Sequence, residues 1–181
     1  ATSSAAMGFC LFNNAAIAAA HACDRHGLER VAVVDFDVHH GNGTQAIFQD
    51  DPRVAYYSTH QSGLFPHSGL RRDRGVGNLL NIQLPPGSGG FRFRNVWADE
   101  ILPVIDGFRP QLLILSAGFD GHMRDPQADL MLDAEDFAWI TTQLRQIAGR
   151  HAGGRVVSLL EGGYDLQALG ECSVAHVGAL C

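Results

Sequence analysis

Apolar positions along the chain fall into two patterns. Four runs, "RVAVVDFDV" (30–38), "RVAYYST" (53–59), "PQLLILSAGFD" (110–120) and "RVVSLLEGGYD" (155–165), are apolar for several consecutive positions before turning polar or glycine-rich. Such runs predict strands buried on both faces. Between them lie stretches with helical spacing. Residues 13–26 open on Asn13 and Asn14 as N-caps and stop before Gly27, a favoured C-cap residue. A short helical stretch covers 44–50. Residues 92–107 repeat Val96, Trp97, Ile101, Val104 and Ile105 at helical intervals. Residues 133–149 carry Asp133 and Glu135 at the start and Gly149 at the end, the charge and cap signals of a helix. "LQALGECSVAHVGAL" (166–180) predicts a closing helix. Residues 61–90, rich in Gly, Pro and Arg, read as irregular, and a loop that long inside a compact domain is usually functional.

Strands alternating with helices predict an α/β fold, an open and mostly parallel sheet with helices on both faces in three α/β/α layers. The length of 181 residues fits one domain, 1–181, large enough for its own core. In such sheets ligands bind beyond the carboxyl ends of the strands. Those ends read "DFDVHHGNG", "STHQ", "SAGFDGH" and "LEGGYD", all polar or glycine-rich.

Composition narrows the function classes. Apolar residues make up 46% of the chain and charged residues 18%, with a net charge of −6; this argues against disorder and against a basic nucleic-acid-binding face. No apolar stretch approaches the ~20 residues of a membrane span, and the start lacks a signal-peptide pattern. The expectation is therefore a cytoplasmic protein, or a nuclear one in a eukaryote. Cys10, Cys23, Cys172 and Cys181 are widely spaced, with no CxxC pair, so neither a zinc knuckle nor a disulfide framework is expected. Of nine histidines, His21, His26, His151 and His176 lie in helical or loop text and are assigned to surface or cap positions.

The chemistry concentrates in "DFDVHHGNG". Side chains alternate along a strand, so Asp35, Asp37 and His39 project to one side. An Asp and a His two apart can share a metal ion, and Asp120 ends a neighbouring strand in the equivalent place. Two carboxylates and an imidazole neutralise a divalent ion and leave open positions for water and substrate, as a catalytic site requires. Zinc is the first choice; iron(II) also suits the ligand set. The competing reading is a set of caps and turn formers, but burying several carboxylates without a cation is costly. Asp35 is open between orienting a histidine and binding a second, monovalent ion. Tyr164, after two glycines, is placed either to polarise a carbonyl oxygen held by the metal or to cover the last helix. Phe9 and Phe65 are either core aromatics or walls of a narrow apolar slot.

Together "GFCLFNNAAIAA", "VAVVDFDVHHGNGTQAIF", "YYSTHQSGLFPHSG", "LSAGFDGHMRDP" and "LLEGGYDL" resemble the histone deacetylase family, which includes acetylpolyamine amidohydrolases and has the arginase-like fold. Asn42 in "HHGNG" and the form "EGGYDL" look like the class II and bacterial branch. The resemblance implies that Asp37, His39 and Asp120 ligate zinc and that Tyr164 polarises an acetyl carbonyl. Asp35 would orient a catalytic histidine. With Ser58 and backbone carbonyls around Asp37, His39 and Thr59, it would also hold a structural potassium ion. Phe9 and Phe65 would flank an acyl-lysine channel, the Gly8 carbonyl would receive the substrate amide, and Gln127 would stand at the rim. The implied reaction is hydrolysis of an N-acetyl amide by a metal-activated water, with acetylated lysine peptides or proteins, or acetylated polyamines, as substrates. Gln127, being neutral, does not choose between them.

The family places a tandem histidine pair, its general base and partner, eight and nine positions before the Gly of "GFC", and seven residues precede Gly8 here. The chain is therefore expected to be a domain truncated at its N-terminus, impaired in turnover, with "VAVVDF" left as an unpaired edge. Two other readings are an arginase-type ureohydrolase, which needs a second metal and a DxHxD arrangement, and a non-catalytic module that binds acylated ligands.

Overall fold

The computed structural model describes residues 1–181. Its strands are β1 (Val31–Asp35), β2 (Val54–Gln61), β3 (Leu79–Leu84), β4 (Leu112–Ala117) and β5 (Val156–Leu160). All pairings are parallel, in the order β3-β2-β1-β4-β5. The helices are α1 (Asn14–His26), α2 (Asn42–Phe48), α3 (Gly90–Val96), α4 (Leu102–Phe108), α5 (Ala134–His151) and α6 (Leu166–Leu180), with a π-helical turn at Trp97–Ile101 joining α3 to α4.

The helices cover both faces because each interior strand is apolar on both. Val31, Val33, Val54, Tyr56 and Ile114 pack against the alanine-rich side of α1 and Phe48 of α2. On the opposite face Ala32, Val34, Leu113 and Leu115 meet Trp97, Ile101, Ile105, Phe137, Leu144 and Cys172. Helix ends are fixed by their own side chains. Asn13 Oδ1 accepts from Ala16 N at 2.9 Å, and Gly27 turns left-handed at φ 65° to close α1. Asp133 and Asp136 form a reciprocal capping box on α5, a device worth about 1 kcal/mol.

Four expectations are corrected. The stretch 61–90 is not wholly irregular: "LLNIQL" forms β3, a fifth strand at the sheet edge, paired with β2. The helix expected over 92–107 begins at Gly90 and widens into the π turn at Trp97, where one extra residue per turn is absorbed. "VAVVDF" is no edge: β1 is the central strand, bonded to β2 and β4. His176 is buried rather than a surface or cap residue. Its Nδ1 donates to Thr141 Oγ1, whose own hydroxyl is given to the Phe137 carbonyl, and its Nε2 accepts from Ser158. His21 and His26 do lie on the exposed side of α1, and His151 bonds Asp106.

The other edge, β5, is only partly covered. Val157 is 39% and Leu160 61% exposed, and Leu166, Val174 and Val177 of the adjoining α6 are exposed as well. No helix is long and apolar enough to cross a membrane.

Candidate metal centre

β1 and β4 end side by side, with Asp35 in register with Ser116, and the chain beyond each turns polar. The alternation that places Asp35, Asp37 and His39 on one side holds only to the end of β1. Asp35 shares the α1 face with Val31 and Val33, where its carboxylate accepts from the Tyr56 hydroxyl at 2.7 Å and from Asp37 N at 3.1 Å. Asp37 instead turns toward β4 and β5. One of its oxygens accepts from His39 N at 2.7 Å, the other from Gly162 N at 2.8 Å. Asp120, after β4, accepts from Val38 N at 2.9 Å. His39 Nδ1 lies 3.0 Å from Asp120 Oδ2 and 3.3 Å from Asp37 Oδ1.

Asp37, His39 and Asp120 therefore each bring one possible ligand atom to within 4.8 Å of the others. In the bare residues the carboxylates crowd one another and the imidazole between them takes up a proton. Burial, then the Asp37 charge, raise Asp120 above the ordinary carboxylate range. Burial and Asp37 raise Asp35 in the same direction. Burial would lower His39, but bonds to Asp120 and Asp37 override it and lift the imidazole to about 10. Close packing against glycine backbone brings the carboxylates together. A Cβ at Gly118 would fall within 3.0 Å of the Asp37 carboxylate, and one at Gly162 within 3.0 Å of both Asp120 and Asp37. Only glycine admits this approach. Two carboxylates and one imidazole this close together could hold a divalent ion.

A cavity of about 320 Å³ opens over this cluster. Its lining includes Gly8, Phe9, Phe65, Asp35, Asp37, His39 and Tyr164. Phe9 and Phe65 are 88% and 49% exposed, so neither is a core aromatic. Tyr164 follows Gly163, which sits at φ 140°; its phenol is raised to about 12 by burial and by the charges of Asp120 and Asp37. Ser58 lies opposite Asp35 in the β1–β2 register, and both it and Thr59 are buried. Gln127 is exposed and does not line the cavity.

Three contributors went unassigned in the sequence. Tyr56 is a strand residue whose hydroxyl meets Asp35 only because β1 and β2 are neighbours. Glu161, inside the quoted "EGGYD", lines the cavity and accepts from Ser116 Oγ at 3.0 Å. Asp125, inside "RDPQ", bonds to backbone N–H groups near Tyr164. Its position in the motif was the only available signal.

Comparison with known proteins places this architecture. The histone deacetylase domain family matches residues 1–180. A histone deacetylase-like amidohydrolase of Pseudomonas aeruginosa is 45% identical over 180 residues, which cover 97% of this chain and 47% of that protein. The chloroplastic histone deacetylase 14 of Arabidopsis thaliana is 43% identical over 90% of this chain and 40% of its own length. The human polyamine deacetylase is 44% identical over 92% and 26%. Among solved structures, the HD domain of HDA15 superposes with a TM-score of 0.89 at 34% identity, covering 97% of this chain and 50% of that one. The chain spans about half the length, or less, of these relatives. With the family match running from the first residue to the penultimate one and the fold agreeing, the chain belongs to the histone deacetylase family.

Proposed function

We propose that these residues form the metal-binding side of a zinc-dependent amidohydrolase that removes acetyl groups from N-acetyl-lysine or from related acetylated amines such as acetylpolyamines. The observation that carries this reading is the convergence of Asp37, His39 and Asp120 within 4.8 Å beneath a cavity that Tyr164 also lines. Two relatives, by name an amidohydrolase and a polyamine deacetylase, support the substrate class. Iron(II) fits the same ligands.

When bound, zinc supplies Lewis acidity to the attacking water and to the acyl carbonyl. The chain's own residues do the rest. Phe9 and Phe65 flank the entrance and exclude water from an alkyl chain, and the Gly8 carbonyl can accept the substrate N–H. Tyr164 carries a phenol, which is ordinarily protonated at neutral pH, and can donate to the oxygen on which charge develops. Asp35 and Ser58, with carbonyls of Asp37, His39 and Thr59, form a proposed potassium site beneath the ligand loop. Four free cysteines support a reducing compartment, and we place the protein in the cytoplasm.

Turnover by these residues alone is proposed to be slow. The two histidines lining the cavity are His39 and His40. His39 is committed to the metal, and both nitrogens of His40 are bonded, to Ser68 and Gln45. A positioned general base is worth 10² to 10⁴ in rate. The test is turnover of acetyl-lysine peptide and of acetylspermine by the zinc-saturated protein, compared with the metal-free protein. Zinc-dependent release of acetate supports the reading, and no release with either substrate overturns it.

A further inference from the structure

The turn that carries Tyr164 is held by a carboxylate from a different loop. Asp125 is 6% exposed and makes no ion pair; the neighbouring Arg124 pairs with Glu171 and Asp165 instead. Its charge is satisfied by backbone alone. One oxygen accepts from Tyr164 N at 2.7 Å and from Asp165 N at 3.3 Å, while the other accepts from Gln127 N at 2.9 Å. Asp125 N in turn donates to the His122 carbonyl at 2.8 Å, which anchors the loop just past Asp120. Asp165 then caps α6 through Ala168 N at 2.7 Å.

This arrangement matters because the other bonds in the turn hold its neighbours and not Tyr164 itself: Gly162 is tied to Asp37 and to Phe119 N, and the Asp165 carbonyl to Leu169 N. The residue before it is a glycine at positive φ, β5 has ended, and Tyr164 is 40% exposed with Phe9 as its one aromatic neighbour. A phenol hydroxyl stabilises a developing oxyanion only when held to within a fraction of an ångström. We propose that Asp125 is a positioning residue: it sets the height of Tyr164 over the Asp37, His39 and Asp120 cluster and ties that height to the segment bearing Gln127. The inference rests on the deacetylase reading for the role of Tyr164, but the clamp itself does not.

No neutral isostere reproduces the clamp. Asn at 125 presents one oxygen, so it can accept from the Tyr164 side or from Gln127, and its NH2 then faces an N–H donor. Amide hydrogen exchange, followed by NMR on the full 181-residue chain with zinc, tests the clamp directly. In the wild type the Tyr164 and Gln127 amides, although in loops, are expected to exchange at least about 10²-fold more slowly than unstructured amides. Free exchange at either amide overturns the proposal without any variant being needed. In Asp125→Asn, protection at one or both is expected to fall about tenfold or more while amides of β1 and β4 are unchanged; unchanged protection at both overturns it.

A double-mutant cycle with Tyr164→Phe tests the consequence. Asp125→Asn is expected to lower kcat about 10- to 100-fold with KM little changed in the wild-type background, and to have little further effect once the hydroxyl is gone. Equal losses in both backgrounds would mean a merely structural role and overturn the proposal. Failure of the deacetylase reading looks different: the zinc-saturated wild type then releases no acetate, which removes the positioning role whatever the amides show.

Discussion

The ring of Phe9 stands edge-on to Tyr164, with centroids 6.1 Å apart and planes at 73°. One residue comes from near the start of the chain, the other from the turn before the last helix, and together they form one wall of the cavity. Phe9 sits at φ 60° directly after Gly8, also at φ 60°, a left-handed pair that turns an apolar ring outward at some conformational cost. Replacing Phe9 by Ala is expected to raise KM for an acetyl-lysine peptide about tenfold. Because the ring is 88% exposed, the unfolding free energy should change by less than about 0.5 kcal/mol. Steady-state kinetics and urea unfolding check the two halves.

Asp120→Asn should separate stability from metal binding. Removing one of the crowded buried charges stabilises the metal-free protein, by on the order of 1 kcal/mol, while the site loses a carboxylate ligand. The variant is expected to melt higher than wild type in EDTA and to gain little on adding zinc. Wild type should gain strongly, since a ligand bound only by the folded state stabilises it by mass action. Scanning calorimetry with and without zinc reads both effects.

Gly162→Ala should empty the site without replacing a ligand. The added methyl would fall against the Asp120 and Asp37 carboxylates, so zinc stoichiometry is expected to drop from near one to near zero while the sheet remains folded. Elemental analysis and far-UV circular dichroism make the comparison.

His60 carries a predictable acid limb. Burial, then the neighbouring His40, push its imidazole down to about 4; Nε2 donates to the Gly69 carbonyl at 2.9 Å and Nδ1 accepts from Ser58 at 2.9 Å. The unfolded chain takes up this proton near 6.5. Protons therefore favour unfolding: the contribution is complete above about pH 6.5 and is lost as pH falls toward 4, about 3 kcal/mol in all. Relative to His60→Gln, wild type should weaken across that window and hold constant above it. Denaturant midpoints at pH 7.5, 6, 5 and 4 give the difference.

Much of this molecule was legible because local chemistry and tertiary role coincide. α1 and α5 carry their own caps, and β1 and β4 are apolar on both faces because both faces are covered. That Asp37, His39 and Asp120 lie close together was legible from strand-end position and residue type. What the chain order hides is which strands are neighbours. The truncation implied by the resemblance would leave β1 an edge, yet strands from 54–61 and 112–117 flank it on both sides. The strand at 79–84 was masked by the Gly- and Arg-rich segment before it and the prolines after it. His176 looks like a surface polar residue on an apolar helix, and its partners Thr141 and Ser158 lie on other elements. Asp125 escapes pattern reading because it bonds only to backbone, which leaves no complementary side chain in the sequence.

Asp37, His39 and Asp120 follow β1 and β4, strands paired on both sides, whereas Gly162 and Tyr164 hang from β5 at the margin of the sheet. Margins fray before interiors. Gentle heating or dilute denaturant should therefore withdraw the phenol hydroxyl while the ion is still gripped, so that inactivation comes first and metal release later. The proposed zinc enzyme is therefore expected to fail in two steps, the first reversed on cooling while the ion is held.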